Sequence, residues 1–266
     1  MDGSWGSVTS CDGTRIGFLT EGSGPPLLLV HGGMCTSARW DPLWQVLVPR
    51  FRVTAMDRRG RGSSGDGGHY SLAAEAADVT AVAGHLSKRH DGAPVDVFGH
   101  SYGALCALGA AGKGAPLRRV ALYEPPGPPT VSKAWLRSAR TSIDSGHPGR
   151  AMYSFLVDVV GLHPEEVAAL RDRPLQYDPM PIIEQTLVRE AEALTTVDLA
   201  ALAGSITQSV LLLLGSESPA WAAEVTRNLE RALQLASVVL IPEQGHEAVD
   251  VVPDLIADQL ERFLLD

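Results

Sequence analysis

The chain has 266 residues, of which 45% are apolar and 20% are charged, and these proportions exclude disordered, collagen-like and coiled-coil proteins. Its 22 Lys and Arg residues are outnumbered by 31 Asp and Glu residues, so the formal net charge is -9 and no net positive field attracts nucleic acid or anionic lipid. The length allows one large domain, or a core with an insertion.

The cysteines and the N-terminal residues indicate a cellular compartment. The three cysteines include no C-x-x-C pair, and an odd number in a chain of this length favours a reducing compartment over a disulfide framework. The first five residues include one acidic and no basic side chain, and no stretch approaches the roughly 18 apolar residues of a membrane span. The sequence therefore predicts a cytoplasmic protein with no nucleic-acid or membrane partner.

Eight segments of strand length are predicted along the chain. Two weak ones, Gly6–Thr9 and Arg15–Leu19, flank a turn whose Asp-Gly pair favours an antiparallel hairpin. Six continuous apolar runs follow, and such runs are typical of strands buried on both faces of a parallel sheet. These are Leu27–Val30, Val53–Met56, Val95–Phe98, Val120–Tyr123, Val210–Leu214 and Val238–Ile241.

Segments with helical periodicity separate these strands. They are Thr36–Val48, with Thr36 or Ser37 as N-cap, Leu72–Ser87, Tyr102–Ala111 and Ala220–Leu235. The alternation predicts an α/β fold, with a mostly parallel eight-stranded sheet flanked by helices.

No strand is predicted between residues 126 and 209. This stretch begins in a proline-rich turn, and it contains helical patterns at Lys133–Asp144, Arg150–Val160, Pro164–Arg171 and Ile182–Leu194. A structureless connection of this length is improbable in a compact domain. We therefore predict a core of residues 1–125 and 210–266, with residues 126–209 inserted as a helical cap.

A Gly-His-Ser-Tyr-Gly pattern at residues 99–103 carries the clearest chemical signal. It follows a predicted buried strand and opens a helix rich in small residues, which is the context of a nucleophile elbow. The alternative interpretation is an ordinary tight turn between strand and helix, with an inert Ser101.

Three further segments join this pattern in chain order: Leu28-Leu29-Val30-His31-Gly32-Gly33, Asp57-Arg58-Arg59-Gly60-Arg61-Gly62-Ser63-Ser64 and Gln244-Gly245-His246. With these four segments the chain resembles the α/β-hydrolase superfamily, specifically its small, cap-bearing serine hydrolases. The resemblance extends over nearly the whole chain.

This resemblance implies roles for individual residues. Ser101 is expected to be the nucleophile and His246 the base, because a serine hydroxyl needs a nearby imidazole to accept its proton. The expected oxyanion donors are the backbone N–H groups of Tyr102 and Gly33, with Met34 as the alternative to Gly33.

Candidate substrate-binding residues come from the motifs and from the insertion. His31, Gly32 and His100 lie in the motifs at positions that shape the site. Trp135 and Tyr153, together with Met152, Phe155 and Met180, either form an apolar pocket wall or pack among themselves. We expect Trp135 and Tyr153 to contact substrate.

The third member of the triad is ambiguous. The resemblance implies an acid after the seventh strand, but Ser218 stands at that position and Glu217 precedes it by one residue. A second location used by related enzymes follows the sixth strand, where this chain has Glu124. The sequence favours Glu124 over Glu217.

These residues predict hydrolysis of a small, apolar carboxylic ester, lactone or thioester through an acyl-enzyme, without a metal or organic cofactor. Two other functions stay open: a lyase or cyclase that uses Ser101 and His246 for proton transfer, and a ligand receptor with little turnover. The sequence does not specify the substrate or the oligomeric state.

Overall fold

In a computed structural model of the protein, the described residues are 1, 3–165, 167–168 and 179–265. Eight strands form one sheet in the order β1-β2-β4-β3-β5-β6-β7-β8. They are β1 Ser4–Thr9, β2 Arg15–Glu21, β3 Pro26–Val30, β4 Arg52–Met56, β5 Val95–His100, β6 Leu117–Tyr123, β7 Ser209–Gly215 and β8 Ala236–Ile241. Among these strands, β1 pairs antiparallel with β2, and β2 pairs antiparallel with β4. The other pairs are parallel, so the predicted α/β fold class is confirmed.

The continuous apolar runs have a simple origin in this sheet. Side chains alternate between the two faces of a strand, and both faces of this sheet are covered. Leu28 and Val30 therefore belong to one hydrophobic cluster, whereas Leu27 and Leu29 belong to the cluster on the opposite face.

The core helices are α1 Asp41–Leu47, α2 Leu72–Lys88, α3 Tyr102–Gly112, α8 Ala220–Ala232, α9 Ala248–Val251 and α10 Pro253–Leu265. Helices α2, α3 and α8 bury their apolar residues in one cluster, and α1 and α10 bury theirs in the other.

The predicted helix Thr36–Val48 is divided into two parts. A 3-10 helix, Ser37–Trp40, is capped by the Thr36 hydroxyl, and α1 then starts at Asp41 with a proline in its first turn. Proline favours this position because its fixed φ suits a helix start. The helix predicted to reach Leu235 ends at Ala232, because Leu233 is extended.

Helices also form the segment between β6 and β7. They are α4 Lys133–Asp144, α5 Pro148–Ser154 with a π-helical turn at Phe155–Val159, α6 Pro179–Leu194 and α7 Leu199–Ala203. The helix predicted over residues 164–171 falls partly outside the described residues. Within the described part of 126–208 there is no strand.

None of the described helices combines the length and the apolar character needed to cross a bilayer.

Candidate active site

Ser101 lies in a sharp turn between β5 and α3. Its backbone has φ 52° and ψ -126°, a strained conformation for a residue with a side chain. A Cβ at Gly99 would lie 2.5 Å from the Cα of Ala104, and one at Gly103 would lie 2.1 Å from the carbonyl oxygen of Val30. Only glycine fits these two positions, because another part of the backbone approaches closely at each of them. The turn therefore requires a glycine on both sides of the strained serine.

The loop after β3 packs against this turn. A Cβ at Gly32 would lie 3.1 Å from the Cβ of Ser101, and Gly33 lines the same cavity as Ser101. Tyr102 is the first residue of α3, so its backbone N–H has no partner within the helix. Met34 follows with φ 56° and is partly buried against the core. The structure thus brings Gly33 and Tyr102 together beside Ser101.

His246 lies in the loop after β8 and lines this cavity too. Its Nδ1 is 2.6 Å from Oε2 of Glu124, which follows β6 and is fully buried. Because a carboxylate only accepts hydrogen bonds, Nδ1 carries the ring proton and Nε2 keeps its lone pair. The Glu124 backbone has φ 47°, so this residue is also held in a left-handed conformation.

The other oxygen of Glu124 is held by the loop after β7. Oε1 accepts hydrogen bonds from the backbone N–H of Gly215 at 2.8 Å and from the hydroxyl of Ser218 at 2.5 Å. Glu217 is exposed, and its Oε1 accepts from the neighbouring Ser216 hydroxyl at 3.1 Å. Of the two candidate acids, the structure therefore brings Glu124, and not Glu217, to His246.

His100 and His31 are buried around this centre as neutral rings. His100 donates from Nε2 to the carbonyl of His246 at 2.9 Å, and its ring centroid lies 4.8 Å from that of His246. Burial, with a smaller contribution from Arg39, lowers the pKa of His100 well below its usual value. For His31, Nε2 accepts from the backbone N–H of Arg58 at 3.1 Å, and burial followed by the Arg58 charge likewise lowers its pKa.

The cavity above Ser101 is small and mostly apolar. The centres of water-sized spheres are confined to about 30 Å³ of it. Its described walls include residues from the segment between β6 and β7, namely Thr130, Phe155, Val159, Leu187, Ala191 and Leu194. Trp221, from α8, forms the cavity wall nearest His246, and the centroids of the Trp221 and His246 rings are 5.4 Å apart.

Two residues expected to contact substrate lie outside these described walls. The Tyr153 side chain is 43% exposed. Trp135 packs within the helical segment, where its indole N–H donates to the Ser154 hydroxyl at 3.0 Å and its ring lies 5.6 Å from that of Phe155. Helical rotation explains the position of Tyr153, because Phe155 faces the cavity while Tyr153, two residues earlier, points away.

A buried charged cluster beside the cavity escaped sequence reasoning. Arg58 donates from Nε and Nη2 to Glu75 at 3.0 and 2.5 Å, from Nη1 to the Gly32 carbonyl at 3.0 Å, and from Nη2 to Oε1 of Glu190 at 2.7 Å. Arg61 also donates to this Glu190 oxygen. The segment Asp57–Ser64 drew attention to the arginines, but nothing in the α6 sequence distinguishes Glu190 from a solvent-facing glutamate.

Tyr102 covers this cluster from the side of the elbow. Its ring lies over the Arg58 guanidinium at 4.6 Å, and its hydroxyl accepts a hydrogen bond of 2.7 Å from Tyr70. Burial, followed by the nearby Glu190 charge, raises the pKa of Tyr102 well above its usual value. The phenol is therefore neutral at physiological pH.

In residues 1, 3–165, 167–168 and 179–265, no group of three or more His, Cys, Asp or Glu side chains is placed to hold a metal ion.

Known proteins share the fold of this chain. The model of the alpha/beta hydrolase family matches residues 27–259. A solved alpha/beta hydrolase from Sphaerobacter thermophilus is 34% identical, with a TM-score of 0.82, and the alignment covers 97% of this chain and 99% of that one.

Two curated proteins illustrate the range of relatives. A non-heme haloperoxidase from Rhodococcus erythropolis is 43% identical over 98 residues, which are 36% of this chain and 34% of that protein. The 2-(acetamidomethylene)succinate hydrolase of Mesorhizobium japonicum is 24% identical over 253 residues, covering 92% of this chain and 89% of that protein. The chain thus spans about a third of the haloperoxidase and most of the succinate hydrolase.

Proposed function

Because the chain belongs to the alpha/beta hydrolase family, we propose that it is a serine hydrolase that cleaves a carboxylic ester, lactone or thioester of a small, apolar molecule. The observation that carries this proposal is one cavity lined by both Ser101 and His246, with Glu124 bound to the far side of the imidazole. Nucleophile, base and orienting acid are the three groups that acyl transfer requires.

The first half-reaction forms the acyl-enzyme. The Ser101 hydroxyl oxygen attacks the substrate carbonyl carbon while Nε2 of His246 takes the hydroxyl proton. Glu124 stabilises the resulting imidazolium through Nδ1. The tetrahedral oxyanion is bound by the backbone N–H groups of Tyr102 and Gly33, with Met34 as the alternative second donor. When the intermediate collapses, the bond to the leaving group breaks, and the leaving oxygen or sulfur takes the proton from His246.

The second half-reaction releases the acid. A water molecule attacks the acyl carbon as Nε2 of His246 takes one of its protons, and collapse of the second tetrahedral intermediate returns that proton to Ser101. Because no redox change is involved, these residues carry the reaction without a cofactor.

The helical segment has a separate role in this proposal. Residues 126–209 form a cap on a core made of residues 1–125 and 210–266, and the cap sets substrate size. Its support is that Phe155, Leu187 and Leu194 belong to this segment and line the cavity. Since the centres of water-sized spheres are confined to about 30 Å³ of this cavity, we expect the partner to be a small molecule.

Labelling with a fluorophosphonate tests the assignment. We expect stoichiometric modification of the wild type, found by intact mass and mapped to Ser101, and none in Ser101→Ala. Ser138→Ala, which removes an exposed hydroxyl on α4, is the matched control and should label normally. Folded wild-type protein that is not labelled would support a binding role. Rapid labelling without turnover of an ester, lactone and thioester panel would support a lyase or cyclase.

A further inference from the structure

A single carboxylate, Glu190, lies in the cavity with the proposed catalytic residues. It projects from α6, and only 4% of its surface is exposed. Its Oε1 accepts from both Arg58 and Arg61. A buried carboxylate is costly unless it is paired, so these two cations explain how Glu190 is tolerated here.

Arg58 is fully engaged within the protein, whereas the buried Nε of Arg61 has no hydrogen-bond partner among the described residues. Arg58 uses Nε, Nη1 and Nη2 on Glu75, the Gly32 carbonyl and Glu190, and it is completely buried. Two arginines balance the charges of Glu75 and Glu190. Arg58 is therefore not free to bind an anionic group of a substrate.

The second oxygen of Glu190 differs from the first. Oε2 lies on the side of Gly33, at 3.3 Å from the position of a Cβ on that residue. It accepts no hydrogen bond from the described residues, although the side chain lines the cavity. The cavity thus contains a fixed, charged acceptor next to the proposed oxyanion loop.

We infer that Glu190 is a specificity residue, which binds a hydrogen-bond donor carried by the substrate near its reacting carbonyl: a hydroxyl, an amide N–H or an ammonium group. This inference rests on the proposed hydrolase function. A hydrogen bond to a charged partner contributes enough to change kcat/KM by about ten- to hundredfold. Substrates with a carboxylate at the same place meet repulsion instead and lose activity by a similar factor.

A set of matched 4-nitrophenyl esters tests this inference on the wild-type enzyme. The acyl groups are pentanoyl and its analogues of equal chain length with a 3-hydroxyl, a 3-methoxy, a 3-ammonium or a 3-carboxylate group. We expect one or both donor-bearing esters to exceed pentanoyl and methoxy esters in kcat/KM by about ten- to hundredfold, and the carboxylate ester to be the poorest. The hydroxyl and ammonium members distinguish a neutral donor from a cationic one.

The variant Glu190→Gln supplies the second measurement, because it keeps the shape of the side chain and an oxygen for the arginines. The ratio of kcat/KM for donor-bearing and methoxy esters should fall by about tenfold. Glu184→Gln, at an exposed position on the same helix, is the control and should leave the ratio unchanged.

The two proposals fail separately in this design. If the plain pentanoyl ester is hydrolysed but the donor-bearing esters gain nothing, the role of Glu190 is wrong and the hydrolase function stands. An unchanged ratio in folded Glu190→Gln also overturns the role of Glu190. If no ester is cleaved and Ser101 is not labelled, the proposed function itself is wrong.

Discussion

The hydroxyl of Ser218 donates a 2.5 Å hydrogen bond to Oε1 of Glu124. The residues at the two positions expected for the triad acid, after β7 and after β6, are therefore in direct contact. The loop after β7 provides this serine and a backbone N–H, and the end of β6 provides the carboxylate. Parallel neighbouring strands explain the contact, because β6 and β7 end at the same edge of the sheet. A serine at position 218 thus supports an acid that comes from the adjacent strand.

Replacing Glu124 by Gln should lower kcat by about 10³- to 10⁴-fold, because the amide no longer stabilises the imidazolium and favours the wrong ring tautomer. Glu217→Gln is the control, and it should stay close to the wild type since its side chain is exposed. Ser218→Ala should have a smaller effect, about tenfold, because Gly215 still holds Oε1. Steady-state kinetics on one chromogenic ester compares the three. A large loss in Glu217→Gln with little change in Glu124→Gln would reverse the assignment.

Gly103→Ala should destabilise the fold by about 3 kcal/mol or more, because the new Cβ would lie 2.1 Å from a backbone oxygen that cannot move aside easily. The matched control is Gly84→Ala in α2, where a Cβ meets nothing within 4 Å. There we expect stabilisation of about 1 kcal/mol, since alanine is the better helix former. Urea denaturation measures both, and equal effects of the two substitutions would refute the steric explanation.

Lowering the pH from 6.5 to 5 should destabilise the protein. The pKa values of His31 and His100 in the fold lie well below 6.5, so the unfolded chain takes up protons in this range while the fold does not. Stability is therefore complete above about pH 6.5 and falls below it, by about 1.4 kcal/mol per pH unit for each histidine. Glu75, whose pKa is lowered because Arg58 outweighs the effect of its burial, contributes a loss only below about pH 4.5.

Urea unfolding across this pH range checks the prediction on the wild type and on His100→Gln, which keeps a donor for the His246 carbonyl. The variant should show a shallower dependence on pH. His69→Gln, at an exposed position, is the control and should retain the wild-type slope. A free energy of unfolding that stays constant between pH 7.5 and 5.5 would contradict the burial of neutral rings.

Shortening Phe155 to Ala should shift substrate preference toward longer acyl chains by about tenfold in kcat/KM, because its ring lines the cavity. Tyr153→Ala removes an exposed ring two residues away and serves as the control. We expect it to keep the wild-type preference in a series of 4-nitrophenyl esters from acetate to octanoate. If Tyr153→Ala moves the optimum and Phe155→Ala does not, the described cavity is not the acyl site.

The sequence alone was sufficient for the sheet and for the elbow. Runs such as Leu27–Val30 predict strands buried on both faces. The Gly-x-Ser-x-Gly pattern indicates a nucleophile elbow because a strand precedes it and a helix follows it. These are local signals, because strand periodicity and glycine-dependent turns depend on neighbours within a few residues. The proline-rich turn after β6 likewise indicated where the inserted segment begins, and the helical spacing within that segment indicated helices.

Only the tertiary structure decided which side chains share the cavity. Glu124 reaches His246 because β6 ends beside β7, and Phe155 replaces Tyr153 in the wall because of a helical rotation that no composition reveals. Glu190 is the clearest case, because its helix carries polar residues of different exposure. Glu190 is buried and Glu192 is not, and this difference comes from the packing of Glu190 against Arg58 and Arg61. Contacts between residues far apart in the chain are set by the packing of whole elements, and a single sequence does not encode them in any local pattern.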